Sequence, residues 1–449
     1  MKLSLLREKL NHKYQLNLSP LTNEEKFCLD QIKVIGITGS KGKSTTAYLL
    51  HKYMEKLNIS HQLYCSMSEG SNKDNINKNI SVDIPLKSDR KILSILEELK
   101  NHPVMYLILE VSERAIYNQI TDEIDFELKV LTNILTKHNK LEFNENAYVQ
   151  LKLSFLKNSI YNIIGLTEDV TKEMIEVVTR QNEKKPIIYS TRFLAATKGV
   201  SENDIQYLLY DINQKLEGFS FHVLQNNNSY TYKTNLLLKH NALNLTCLIA
   251  IIDILGIYNQ IALYQMLKQI QILAREEAFQ YDSKIILVGT SLIPVLEELK
   301  AMQQENIIKG NIIVVTGSPG LGFIKWKTND YDLEERKASR EFAMRYVKTY
   351  ADKVYITESD SAATPFSEIS TELVVLLNHE IPYVIEKERY RAIERAIVEA
   401  KENDIIYIAG RGNRALLYDQ EKVSRYFNDL EVVKEIIKRG ESNEHIEDN

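Results

Sequence analysis

Two kinds of apolar patterning alternate along this chain. Short continuous apolar runs bounded by turn residues read as buried strands, and stretches with apolar residues three and four apart read as helices. Lys33–Thr38 (KVIGIT), Val104–Val111 (VMYLILEV), Phe126–Asn133 (FELKVLTN) and Asn162–Leu166 are of the first kind; Ser44–Leu57, Asp89–Leu99 and Asn146–Leu156 are of the second. The first thirty or so residues read as a short helix and a polar connection, and Tyr64–Asp83, rich in Asn, as an exposed loop. From Pro186 to Tyr232 the pattern is strand-rich and alternating, as in GFSFHV, before the helix Asn241–Leu255. Near Leu273–Phe279 the character resets. A second alternation follows, with strands at Ile285–Val288, Asn311–Thr316, Val354–Thr357, Pro382–Val384 and Asp404–Ala409 and helices between them. Such alternation predicts an α/β protein: a short N-terminal appendage (1–32), a central domain (33–270) and a C-terminal doubly wound, Rossmann-like domain with a parallel sheet (271–449).

Composition narrows the class. The 449 residues are 44% hydrophobic and 26% charged, which excludes a disordered chain or a small disulfide scaffold. A net charge of -5 gives no global attraction to nucleic acid or anionic lipid. Cys28, Cys65 and Cys247 are far apart and form no metal signature, as in reduced cytosolic proteins. The apolar run Leu245–Leu255 is too short for a membrane span and is interrupted by Asp253. The N-terminus carries charge within its apolar pattern and has no small-residue cleavage site. A cytoplasmic protein with no nucleic-acid or membrane partner is expected.

The strongest chemical signal is Gly39-Ser40-Lys41-Gly42-Lys43-Ser44, between a strand and a helix. Backbone amides of such a turn converge on phosphate oxygens, the helix presents its positive end, Lys43 reaches terminal phosphates and Ser44 can hold Mg²⁺. The central domain is therefore expected to be a P-loop domain. Glu110 closes a strand, where Mg²⁺ is a natural partner, although a strand-end Glu facing water reads the same way. His138 follows Thr132-Asn133; a lone His is as readily structural. Lys152 lies on a helical face with Tyr148, Leu151 and Leu156. Asn241, opening a helix after His240, would equally serve as a cap.

Taken together these segments resemble the Mur ligases, most of all the type that adds the third amino acid to UDP-N-acetylmuramoyl-dipeptide. The family's nucleotide loop appears as Ile37 to Thr45, its strand-end EVSS as Glu110-Val111-Ser112-Glu113, its TNL…DH as Thr132-Asn133-Ile134 through His138, and its HNxxN as His240 to Asn244. The domain-opening GRxE resembles Ala274-Arg275-Glu276-Glu277, and IAGKGHE resembles Ile408 to Asn413. The resemblance implies ATP and two Mg²⁺ ions. Gly39 to Thr45, Asn241 and Arg275 would contact the nucleotide or the domain cleft. Ser44 and Glu110 would hold one ion, and His138 with Lys152, the lysine that the family carbamylates, would hold the other. Lys43, His138 and Lys152 would be catalytic. The activity implied is ATP-dependent amide-bond formation: a carboxylate becomes an acyl phosphate, which an amine attacks.

Departures bear on the substrates. Only some thirty residues precede the loop, where the family has a uridine-binding domain, so that domain is expected to be missing. The family's Ser-Ser-His reads Ser112-Glu113-Arg114, placing Glu113 where an anionic acceptor would approach. DYAHTPD is reduced to Gly289 to Pro294, and DNPR has become Glu358 to Ala363. A non-standard small-molecule carboxylate and amine are expected, with a partner protein as another source of recognition. Poly-γ-glutamate or folylpoly-γ-glutamate ligation, a natural-product tailoring ligase and a non-catalytic scaffold remain as alternatives.

Overall fold

A computed structural model of the chain describes residues 1–66, 80–81, 89–136, 144–167, 169–225, 227–272, 276–320, 330–361, 364–412, 414, 416–418 and 424–447. Contacts divide it into two compact units: 1–213 with 220–235 and 240–270, and 271–449 with 214–219 and 236–239.

The larger sheet has ten strands, β1 (Lys33–Thr38), β2 (His61–Tyr64), β3 (Ile80–Ser81), β4 (Tyr106–Glu110), β5 (Phe126–Leu131), β6 (Tyr161–Gly165), β7 (Ile187–Thr191), β8 (Tyr207–Lys215), β9 (Gly218–Gln225) and β10 (Asn228–Thr234). Their order is β10-β9-β8-β7-β6-β5-β1-β4-β2-β3. β1 pairs in parallel with β4 on one side and β5 on the other, bringing Ile37 level with Glu110 and with Val130. Strands buried on both faces explain the near-continuous apolar runs.

The polar connection expected before β1 contains a second helix. After α1 (Leu3–Lys13) comes α2 (Asn23–Gln31), started by a capping box in which Thr22 Oγ1 accepts from Glu25 N and the Glu25 carboxylate accepts from Thr22 N. Leu3, Leu6, Leu10 and Leu29 of these helices join one core with Ile92, Leu96 and Leu99.

The second sheet also departs from the pattern. It comprises β11 (Glu277–Tyr281), β12 (Lys284–Val288), β13 (Ile312–Thr316), β14 (Lys353–Ile356), β15 (Tyr383–Ile385) and β16 (Ile405–Ile408), ordered β11-β12-β16-β13-β14-β15. All pairs are parallel except β11 with β12. Asp282 and Ser283 both take positive φ, 45° and 56°, the geometry of a two-residue hairpin turn, so the sheet expected to be parallel carries an antiparallel edge hairpin. The three cysteines are free thiols. Among the described residues no helix is long and apolar enough to cross a membrane.

Behind the first strands lies a buried histidine pair. His51, on α3 (Lys43–Lys56), has its Nδ1 2.7 Å from His61 Nε2, and His61 Nδ1 is 2.7 Å from the Ile59 carbonyl. Burial pushes both rings down, His51 to about 3; His61 and Lys52 add to the shift of His51, while Glu55 acts upward on His61. The unfolded chain takes up these protons near pH 6.5 and the folded chain does not, so stability is full above that pH and falls below it. For His51 the loss is about 1.4 kcal/mol per pH unit, and His61 acts in the same direction. Urea midpoints should therefore drop between pH 7.5 and 5.5; a midpoint flat over that range would contradict this pairing.

Candidate functional site

Because β1 lies between β4 and β5, the carboxyl ends of three adjacent strands open side by side. Open α/β sheets bind ligands where the strand order reverses in this way. β1 delivers the loop 39–42, β4 delivers Glu110 and β5 delivers Thr132 and Asn133.

Two glycines shape the loop. Gly39 has φ +149°, and a Cβ there would collide with Thr132 Oγ1 and lie 3.1 Å from Asn133 N. Gly42 has φ +78°, and its Cβ would sit 2.5 Å from Asn244 Oδ1. Gly42 is also the N-cap of α3 and offers no side-chain oxygen to that helix. The first α3 amides thus lack the cap that Ser or Asp would supply, leaving a positive helix end for an anion.

The loop is buckled to the end of β5. Asn133 Oδ1 accepts from Ser40 N at 3.1 Å and Lys41 N at 2.8 Å, and its Nδ2 donates to Lys41 O at 3.0 Å. Thr132 Oγ1 bonds Lys41 O at 2.5 Å and Thr38 O at 3.2 Å. Ser40 Oγ lies 2.8 Å from the Tyr148 hydroxyl and accepts from Leu135 N.

Four charged groups share this corner. Glu110 is buried; its Oε2 accepts from Ser44 Oγ at 2.9 Å and Ser66 N at 2.7 Å, and its Oε1 accepts no bond from a described residue. Lys43 Nζ folds back to donate to Gly39 O at 2.6 Å and stands 3.7 Å from Glu113 Oε1. Ser112 caps α5 (Glu113–Tyr117), and Asn144 caps α6 (Glu145–Phe155), which carries Tyr148 and Lys152 one turn apart on one face. Lys152 is fully buried, and its Nζ donates to Glu113 Oε1 at 2.7 Å, Gly39 O at 3.1 Å and Thr38 Oγ1 at 3.2 Å. Burial pushes the Lys152 ammonium down to about 8 against the pull of Glu113. Burial would raise Glu113, but Lys152 and Lys43 outweigh it and hold the carboxyl at about 2. The Glu113 charge, read from sequence as facing an approaching acceptor, is instead turned onto two lysines.

Ser44 Oγ and Glu110 are hard oxygen donors at hydrogen-bond distance, and among the described residues one Glu110 oxygen has no partner. That donor chemistry suits Mg²⁺. Gly39, Ser40, Lys41, Gly42, Lys43, Ser44 and Thr45 form the loop and the first turn of α3, with Ser44 and Thr45 buried. Asn241 is buried at the start of its helix, and its Oδ1 accepts from Asn244 Nδ2 at 3.1 Å. His138 and Arg275 lie outside the described residues. The sequence reading gave Asn133 and Tyr148 no role of their own in the site and gave Glu113 a different one. The shared helical face of Tyr148 and Lys152 was the available sign for Tyr148.

The second unit gathers charge of its own. Asp360 is buried against Arg411, Nη1 to Oδ1 at 2.6 Å, with Arg414 3.4 Å away. Glu358 pairs with Arg425, and Arg389 grips Asp429 through two bonds of 2.7 Å. Glu358 and Asp360 are therefore each paired with arginines from elsewhere in the chain.

A P-loop at a strand-order reversal, joined by a strand-end carboxylate and a Thr-Asn buckle, defines a nucleotide-binding α/β domain. More particularly, residues 37–252 match the Mur ligase middle domain. It is 26% identical over 441 residues to a UDP-N-acetylmuramoyl-L-alanyl-D-glutamate–2,6-diaminopimelate ligase of Helicobacter pylori, covering 95% of this chain and 90% of that one. A solved structure of a ligase of the same name superposes with a TM-score of 0.62 at 18% identity, over 98% of this chain and 83% of that one. A folylpolyglutamate synthase of Thermotoga maritima superposes with 0.60 at 14% identity, over 90% and 93%.

Removing the buckle should loosen the loop. Asn133→Ala deletes the acceptor for two loop amides and the donor to Lys41 O. We expect ATP affinity to fall about tenfold, near 1.4 kcal/mol, in calorimetry on a folded variant. Unchanged affinity would mean that the buckle does not shape the phosphate site.

Proposed function

We propose that this chain is an ATP-dependent ligase that joins a small-molecule carboxylate to an amine. The observation that carries the reading is the Lys43, Ser44 and Glu110 constellation at the mouth of a Mur ligase middle domain. The loop amides and the α3 N-terminus bind the ATP phosphates, and Lys43 turns from Gly39 O to neutralise the transferring oxygens. Ser44 and Glu110 hold Mg²⁺, which when bound supplies further charge neutralisation. The γ-phosphoryl group passes to the substrate carboxylate with ADP leaving. The amine then attacks the acyl carbon, phosphate departs and the amine nitrogen gives up a proton.

Finer assignments come from the resemblance: Asn241 and Arg275 as nucleotide contacts, and a second Mg²⁺ near His138 and Lys152. At such a site the resemblance implies Lys152 as its carbamate, which supplies oxygen ligands that an ammonium lacks. On the substrate side, the H. pylori relative is named for joining diaminopimelate to a UDP-muramoyl dipeptide. By the resemblance, Glu113 and Arg114 stand where that family has small or neutral residues, and Glu358 to Ala363 replace the segment that recognises the amine. A different acid and amine follow from these changes, with a partner protein as one way to deliver them.

The test is ADP formation from Mg-ATP with a panel of acids, including UDP-muramoyl dipeptide and γ-glutamyl compounds, each with and without amines. We expect turnover that needs both a carboxylate and an amine, is weak with the UDP-muramoyl dipeptide, and falls about a thousandfold in Lys43→Ala. Equal turnover in that variant, or no turnover with any pair, would contradict the ligase reading. Efficient extension of the UDP-muramoyl dipeptide with diaminopimelate would restore the ordinary substrates.

A further inference from the structure

We propose that Lys152 works as an unmodified ammonium and that Glu113, locked against it, is the positioning carboxylate that sets Lys43. This deepens the ligase reading and rests on it. An ammonium has three N–H groups, and Lys152 Nζ has three acceptors, in Thr38 Oγ1, Gly39 O and Glu113 Oε1. Carbamate formation would add CO₂ to the neutral amine and release a proton, leaving one N–H on nitrogen. Two of these three bonds would be lost. The new carboxylate would also enter a fully buried space beside Glu113, and two neighbouring carboxylates repel each other. A serine at position 113, as in the family pattern, would leave both the acceptor role and the negative charge vacant for a carbamate. Glu113 fills both.

The same carboxylate oxygen that takes Lys152 stands 3.7 Å from Lys43 Nζ, and the Tyr148 hydroxyl reaches it at 3.4 Å. Lys152 and Lys43 also share Gly39 O as an acceptor. Glu113 thus fixes the starting position of the lysine that meets the phosphates, and Lys152 fixes Glu113. Glu113 is a positioning residue: it acts through Lys43 and touches no reacting atom.

The experiment is ¹³C NMR of the full chain in ¹³C-bicarbonate buffer, with Lys152→Met as the blank, alongside turnover in buffer stripped of CO₂. The expected result is no carbamate resonance in the wild-type chain and turnover indifferent to CO₂. Glu113→Ser should gain a carbamate resonance and become CO₂-dependent. Glu113→Asp should keep most of the kcat, and Glu113→Gln should lose about tenfold in kcat. A carbamate on wild-type Lys152, or wild-type turnover that needs CO₂, would overturn the proposal. So would Glu113→Gln with unchanged kcat. If the chain turns over no ATP, the ligase reading fails, while the NMR result still decides the state of Lys152 in wild type, whatever the variants do.

Discussion

Charge buried at the carboxyl edge of a parallel sheet is the constraint from which the rest of this site follows. A carboxylate taken from water costs several kcal/mol unless hydrogen bonds or an opposite charge compensate it. Among the described residues Glu110 takes one hydroxyl and one amide, both on the same oxygen. Glu113 takes two lysines. The difference separates them: Glu113 is neutralised from within the protein, and in the proposed ligase Glu110 is left for a cation that arrives with the nucleotide.

The backbone around these groups is arranged to keep that division fixed. Gly39 and Gly42 let the loop pass where side chains would collide with Thr132 and Asn244. Asn133 holds the loop from one side, and Tyr148 holds it from another through Ser40. The helices bearing Glu113 and Lys152 begin at side-chain caps, Ser112 and Asn144, which set where each first turn starts. A loop held this way needs little rearrangement to receive phosphate, which is the economy of a preorganised electrostatic site.

Much of this was legible in the sequence, because it is local. The β-branched run into Gly39–Gly42 and the helix from Lys43 are written in consecutive residues, and so is the strand ending in Glu110. What escaped is what depends on register. Nothing in the sequence says that Ile37 lies level with both Glu110 and Val130, which is what brings Asn133 against the loop. Glu113 was read as an acceptor-facing charge because its partner lies 39 residues away on another helix. The strand Glu277–Tyr281 and its antiparallel pairing with Lys284–Val288 escaped because the two positive-φ turn residues, Asp282 and Ser283, carry no glycine to announce them. His138 and Arg275 fall outside the described residues.

The division of labour between the two carboxylates is most directly tested by titrating ATP into the wild-type chain and Glu110→Ala, each with Mg²⁺ and with a chelator. The wild-type chain should bind ATP at least about tenfold more tightly with Mg²⁺, and Glu110→Ala should lose that difference while remaining folded. Wild-type affinity that ignores Mg²⁺, or a Glu110→Ala variant that keeps the full Mg²⁺ dependence, would contradict the account.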